Sequence, residues 1–428
     1  MKIYYNPEER EIDKILRRPI NIASQPLRSA VRDILNQVHV EGDRALISLT
    51  SKFDKINLNT FKIDKNLIAD AEKIAGVMDQ NLVQAIDQAI ENVRSFHQAQ
   101  VKTRYRLENA EGGVLECREV AISRIGLYIP QGLISSLIML GVPAKLSGSP
   151  SIVVFTPPDS KSDNYLSLPF RYVLARLGLE EVYTIGGAQA IAAMAYGTET
   201  VAAVDKICGP GNSYVNEAKL QVFLEGVGID LPAGPSEVLV IGDEKADPRF
   251  IAADLLSQAE HGPDSQVILL TTSSELAQGV LENIGIQLEK LGRREIAVSA
   301  LDKSSIIVLK TIDECINISN KYAPEHLILN YKNCENDIDK IISAGSVFIG
   351  QYTPEVLGDY ASGTNHVLPT NGAARFSGGV GVSTFTKKIT FQTFSKESFL
   401  KIASTVKHLA EAEGLSAHKN AISIREND

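Results

Sequence analysis

Gln258 and His261 lie three residues apart, at the end of an amphipathic stretch that closes in the turn Gly262-Pro263-Asp264-Ser265. On a helix the two would share one face, and an amide carbonyl beside a neutral imidazole is half of a zinc site. The pair taken alone is read equally well as a helix end whose side chains satisfy the last carbonyls. Ala323-Pro324-Glu325-His326-Leu327 puts a carboxylate and an imidazole side by side at the start of a strand. Glu can activate a water and His can shuttle protons near neutral pH, although a surface Glu-His pair without such a role is the commoner arrangement. A third stretch, from Thr353 to His366, is rich in Gly, Pro and polar residues and holds Asp359 and His366. Loops of this composition carry binding groups, and also simple Asx turns beside a solvated His. His418 follows Gly414 in a polar tail and reads as a surface residue, as do His39, His97 and His408.

Two glycine-rich turns join strands to helices. Gly186-Gly187-Ala188-Gln189-Ala190 opens an Ala-rich helix, and Cys208-Gly209-Pro210-Gly211-Asn212 precedes another. Backbone amides at such a turn can meet a pyrophosphate at a helix N-terminus. Neither turn has the full G-x-G-x-x-G spacing, and close strand–helix packing is the other reason for glycine there.

The elements that must position these groups change texture along the chain. Residues 7–100 read as helical: a charged helix over 8–18, a second starting at Ser24-Gln25-Pro26, and a long third over 64–98. Residues 104–123 read as a β-hairpin around Glu111-Gly112-Gly113. From residue 125, short apolar strands alternate with helices, as in a parallel α/β sheet. The strands are expected at 126–129, 152–156, 181–185, 206–208, 237–241, 266–271, 305–308, 326–329 and 346–349. Residues 231–237 look like a boundary between two α/β units. A strand-like patch is expected at 381–385, a helix over 396–413, and a polar tail over 414–428.

At 428 residues the chain can build two or three domains with a large core. A net charge of −9 without a basic run argues against nucleic acid or an anionic membrane as partner. No apolar run reaches bilayer length, and the N-terminus lacks a signal-peptide core. Cys117, Cys208, Cys315 and Cys334 have no paired spacing, which fits buried free thiols in a cytoplasmic protein.

Taken together, these stretches resemble the histidinol dehydrogenases, zinc- and NAD-dependent enzymes of the last steps of histidine biosynthesis. The resemblance runs over nearly the whole chain and is most specific at 186–212, 231–266, 323–327, 344–369 and 411–421. It implies two α/β units of related, incomplete Rossmann-like topology with small N- and C-terminal wrapping segments. The implied division is a helical segment over 1–22, a larger α/β unit with the catalytic and metal residues over 23–127 plus 236–380, an NAD-binding α/β unit over 128–235, and a segment reaching the partner subunit over 381–428. It implies Zn2+ ligands at Gln258, His261, Asp359 and His418, and a proton-transfer pair at Glu325 and His326. Substrate contacts fall on Ser236, His366 and Glu413 as well as on His326 and the metal ligands, and NAD+ positions on Tyr128, Gln189 and Asn212. The implied substrate is L-histidinol, oxidised through an aldehyde to L-histidine. The C-terminal Glu413 and His418 would serve the neighbouring subunit, so a homodimer is implied. Two readings stay beside this one: a paralogue acting on another amino alcohol, and a catalytically silent NAD- or metal-binding module. The chain departs from the family pattern at Pro130-Gln131-Gly132, where Pro-Gly-Gly is usual, at Ile134-Ser135-Ser136, where Tyr-Pro-Ser commonly follows, and at Thr364, where Pro is usual.

Overall fold

Runs of β-branched and aliphatic residues that alternate with capped helices leave both faces of a sheet to be covered, which favours parallel pairing. The computed structural model, which describes residues 1–18, 24–101, 104–231 and 234–427, has two such sheets. In chain order the strands are β1 (Lys2–Tyr5), β2 (Tyr105–Glu108), β3 (Val114–Ala121), β4 (Arg124–Tyr128), β5 (Ser151–Phe155), β6 (Glu181–Tyr183) and β7 (Lys206–Cys208). They continue with β8 (Gly228–Ile229), β9 (Glu237–Gly242), β10 (Gln266–Thr271), β11 (Ser305–Val308), β12 (His326–Asn330), β13 (Ser346–Ile349) and β14 (Thr386–Thr393). A six-stranded sheet runs β1-β11-β10-β9-β12-β13 and a five-stranded one runs β6-β5-β4-β7-β8. Every pairing in both is parallel. A third, antiparallel sheet, β14-β3-β2, holds the expected hairpin. All nine expected α/β strands are present within one or two residues of their predicted ends.

Five local expectations are corrected. Lys2–Tyr5 is a strand, because its backbone completes the edge of β11 in register Lys2↔Ser305. The long helix over 64–98 is three pieces, restarted by the side-chain caps of Asp64, Asp70 and Asp79. Residues 382–385 form a 3₁₀ turn, and the strand follows at Thr386–Thr393. The polar tail folds as a helix, Ser416–Glu426, against Lys396–Ala412, held by Lys407–Glu426 at 2.6 Å and Lys419–Glu411 at 2.8 Å. His97 is fully buried, not on the surface.

Hydrophobic packing also regroups the chain. Val31, Leu35 and Val38 of the Gln25–Glu41 helix share a core with Phe155, Tyr183 and Ile191, on one face of the five-stranded sheet. Val83, Ile86 and Val93 of the Gln80–Gln98 helix share the opposite core with Leu127, Leu137 and Val173. These helices therefore cover the five-stranded sheet, whereas the implied division set 23–127 with 236–380. The implied boundary at residue 128 also falls on the last residue of β4. The six-stranded sheet keeps its own two faces, one on Val240, Leu255 and Leu269 and the other on Leu239, Leu270 and Tyr322. No helix among the described residues is long and apolar enough to cross a membrane. All four cysteines are buried and free.

Candidate active site

Segments that flank both parallel sheets line a cleft of about 780 Å³. The five-stranded sheet contributes the carboxyl ends of its strands, through Gly211, Asn212 and Ser213 after β7. That is where parallel α/β sheets usually bind ligands. The six-stranded sheet contributes the opposite end: Gly234, Pro235 and Ser236 just before β9, and His261 to Ser265 at the end of the Pro248–Ala259 helix. Pro232 and Ala233, inside the expected boundary, lie outside the described residues.

His326 is the first residue of β12 and pairs with Val238 of β9. Its Nδ1 is 3.0 Å from the Glu237 carbonyl oxygen. A carbonyl only accepts, so Nδ1 carries the proton and Nε2 keeps its lone pair. That Nε2 is buried, has no hydrogen-bond partner and stands 3.7 Å from Asp359 Oδ1. Burial pushes the His326 imidazole down to about 4, against the Glu237 contact, and His366 and His261 push it the same way as burial. The ring is therefore a neutral base at physiological pH.

Glu325 is buried one residue earlier, its Oε2 accepting from the Glu237 N–H at 2.8 Å and lying 3.6 Å from His326 Nδ1. Burial holds its carboxyl well above the usual carboxylate range, only partly opposed by that hydrogen bond. A carboxylate so disfavoured is a stronger base toward water than an exposed one. Adjacent residues within a strand point to opposite faces. Glu325 precedes the strand proper, so both side chains reach the same backbone unit.

His366 sits in the polar loop. Its Nδ1–H donates to the Asp359 carbonyl at 2.8 Å and its Nε2 accepts from the Ser136 hydroxyl at 3.2 Å. Ser136 belongs to the Ile134–Leu146 helix, on the other sheet, so one imidazole bridges the two units. Asn365 ties the same loop to that helix by donating to the Met139 carbonyl at 2.6 Å. Burial pushes His366 down to about 4 and pushes Asp359 up to about 6. His261 is also lowered by burial, although the residue is exposed overall and lines the cleft. Gln258 is buried; with its amide oriented so that both ends are satisfied, nitrogen donates to Glu355 Oε1 at 3.0 Å and oxygen faces the Glu237 N–H at 3.3 Å.

Near pH 7 these groups offer an amide oxygen, a neutral imidazole and a carboxylate, the hard and borderline donors that zinc takes. The orphaned His326 Nε2 beside Asp359 marks a polar position that protein atoms alone leave unfilled. Among the described residues no three His, Cys, Asp or Glu side chains stand together as a metal cluster. The donor types fit zinc, although the described residues do not gather them into one cluster. His418 and Glu413 are exposed on the C-terminal helices and do not line the cleft.

Of the three positions expected to meet NAD+, Asn212 lines the cleft and caps the Ser213–Leu224 helix, accepting from Tyr214 N and Val215 N. Tyr128 and Gln189 are buried behind it. The Tyr128 hydroxyl accepts from the Gly187 N–H at 3.1 Å, and burial pushes it up to about 12. The second glycine turn is braced by a pair that sequence reasoning missed. Buried Lys219 donates to the Gly209 carbonyl at 2.9 Å, the Leu231 carbonyl at 3.1 Å and Asp230, while Asp230 accepts from the Gly209 N–H at 2.7 Å. The cleft's size and its helix N-terminus fit a cofactor pocket. The glycines themselves serve close packing, since a Cβ on Gly186 would meet Pro157 at 2.7 Å.

Comparison with known proteins follows this geometry. Residues 17–426 match the family model described as histidinol dehydrogenase. Histidinol dehydrogenase of Vibrio parahaemolyticus is 46% identical over 99% of this chain and 97% of its own length. That of Bacteroides thetaiotaomicron is 45% identical over 100% and 99%. The crystal structure of histidinol dehydrogenase from Elizabethkingia anophelis superposes with a TM-score of 0.94 at 46% identity, covering 100% of this chain and 98% of that one. With a cleft of this make-up and relatives matched end to end, the chain belongs to the histidinol dehydrogenase family.

Proposed function

We propose that this chain oxidises L-histidinol to L-histidine through L-histidinal, as a cytoplasmic homodimer using NAD+ and zinc. The observation that carries the reading is the buried, unpartnered Nε2 of His326, held neutral beside Glu325 and facing Asp359. When bound, NAD+ accepts a hydride at each oxidation, and zinc orients the nitrogen donors of the substrate. Gln258, His261 and Asp359 would hold the metal, and His418 of the partner subunit would complete its shell. Ser236 and His366, with Glu413 of the partner subunit, would contact the substrate; Asn212, with Tyr128 and Gln189 behind it, would serve the nucleotide.

His326 takes the alcohol proton on Nε2 in the first oxidation, because its Nδ1–H is already committed to a carbonyl. In the second, Glu325 in its ionised form takes a proton from the water that adds to the aldehyde.

The test is NADH formed per histidinol consumed, with zinc-loaded protein and again after chelation. Two NADH, lost on chelation and restored by zinc, is the expected result. Glu325→Gln should give one NADH and accumulate aldehyde. If folded, unaltered protein gives no NADH with histidinol, the reading falls and a paralogue acting on another amino alcohol takes its place.

A further inference from the structure

The contacts of the proton-transfer pair converge on one residue that does no chemistry. The Glu237 N–H donates to Glu325 and faces the Gln258 oxygen, while the Glu237 carbonyl accepts from His326. Both groups flank the same Cα, so a small rotation of the backbone at Glu237 moves all three partners at once. What prevents that rotation is the Glu237 side chain. It is 2% exposed and gripped in a two-pronged pair, Arg18 Nε to Oε1 at 2.5 Å and Nη2 to Oε2 at 2.8 Å. The Asn371 N–H adds a third contact at 3.1 Å.

Arg18 also holds the second arm of the site. Its Nη2 donates to the carbonyls of Tyr322, at 2.9 Å, and Ala323, at 3.2 Å, and its guanidinium lies 3.8 Å over the Tyr322 ring. Ala323 has a φ of +55°, a left-handed turn that a residue with a Cβ adopts reluctantly, immediately before Pro324 and Glu325. One planar cation therefore fixes both the start of β9 and the strained turn into β12. A Lys in its place could supply charge but only one point of contact.

We infer that Arg18, acting through Glu237, is a positioning residue for the Glu325–His326 pair, holding both in register from outside the cleft. The inference rests on the assignment of those two residues to proton transfer. Misplacing reacting groups by about 1 Å can cost roughly 10²-fold in rate. Arg18→Lys and Glu237→Gln should accordingly lower kcat by about 10- to 100-fold, with KM for histidinol changed by less than about threefold. Because both act through one contact, the double variant should be no slower than the worse single variant; independent effects would multiply. Arg18→Ala should regain part of its kcat on addition of methylguanidinium, which can refill the vacated position.

Wild-type kcat in folded Arg18→Lys or Glu237→Gln, or multiplying effects in the double variant, would overturn the inference. Failure of Arg18→Ala to fold leaves the decision to the two conservative variants. The underlying assignment fails separately: in that case the unaltered chain itself gives no NADH from histidinol.

Discussion

Burying an imidazole disfavours its charged form, and His97 feels this with no cleft beside it to account for the burial. Its ring is fully buried, with Nδ1 3.0 Å from Gln100 Oε1, and burial lowers it below its ordinary value against the pull of that contact. The unfolded chain takes up the proton near pH 6.5, whereas the folded chain resists it. The unfolded state thus binds more protons below that pH, and stability falls as pH drops from about 6.5 toward the folded value. Urea unfolding of His97→Gln should show a shallower loss of stability between about pH 6.5 and 5 than the unaltered chain; equal slopes would mean that His97 titrates normally in the fold. His97 also shows why single residues were unevenly legible. Its helical stripe was visible in the sequence, but its burial depends on the loop carrying Asn365, whose amide nitrogen lies 3.4 Å from Nε2 and 268 positions away. Glu325, His326, Asp359 and His366 stood out in the sequence because their side chains can carry protons or bind a metal. Glu237 acts through its backbone, which every residue has, and Arg18 acts on it across 219 positions. No spacing rule could have joined them.

At the scale of elements, the alternation of apolar strands and capped helices was enough to find the parallel sheets, because each strand buries both faces and reads as a continuous apolar run. β1 and β14 escaped for the converse reason. β1 is a four-residue edge, and β14 is exposed along almost its whole length, so neither has a burial pattern to read. The glycine turns were seen, but their cause is packing at fixed points. Gly209 has a φ of +135°, and a Cβ there would lie 2.0 Å from the Tyr128 carbonyl oxygen. Gly209→Ala combines backbone strain with a clash that has no flexible side chain to yield, about 2–6 kcal/mol in all. It should also displace Asn212 and raise KM for NAD+. Gly226, at φ +101° with nothing within 4 Å of an added Cβ, is the control. Gly226→Ala should cost only the strain, about 1–3 kcal/mol, and leave KM for NAD+ unchanged. Equal effects at the two positions, by urea melts and NAD+ titration of the rate, would show that the close approach to Tyr128 does not shape the nucleotide side of the cleft.

For the whole molecule, one chain holds most of the proposed site and displays the rest elsewhere. The C-terminal helices carrying Glu413 and His418 stand on β14 and the hairpin, where Phe394 packs against Gly113. Their outer surface exposes Leu400, Leu409, Leu415 and Ile424, and β14 adds Ile389 and Phe391. Exposed apolar side chains, where they gather, mark association surfaces. In a twofold homodimer the same arm reaches across in both directions, so each site would take its proton-transfer pair from one chain and its last metal ligand from the other. That arrangement predicts complementation between two inactive proteins. His326→Gln leaves the arm intact, and His418→Ala leaves the pair intact. Unfolded, mixed in equal amounts and refolded, the two should form heterodimers as about half of the population. In each heterodimer one site carries both defects and the other carries neither. Activity should therefore return to about a quarter of the unaltered enzyme, with half of the sites in half of the dimers intact. If His418 instead served its own chain, every site in every dimer would carry one defect, and the mixture would stay as inactive as its parents. Refolding each variant alone controls for residual activity, and sedimentation of the mixture confirms that dimers have formed.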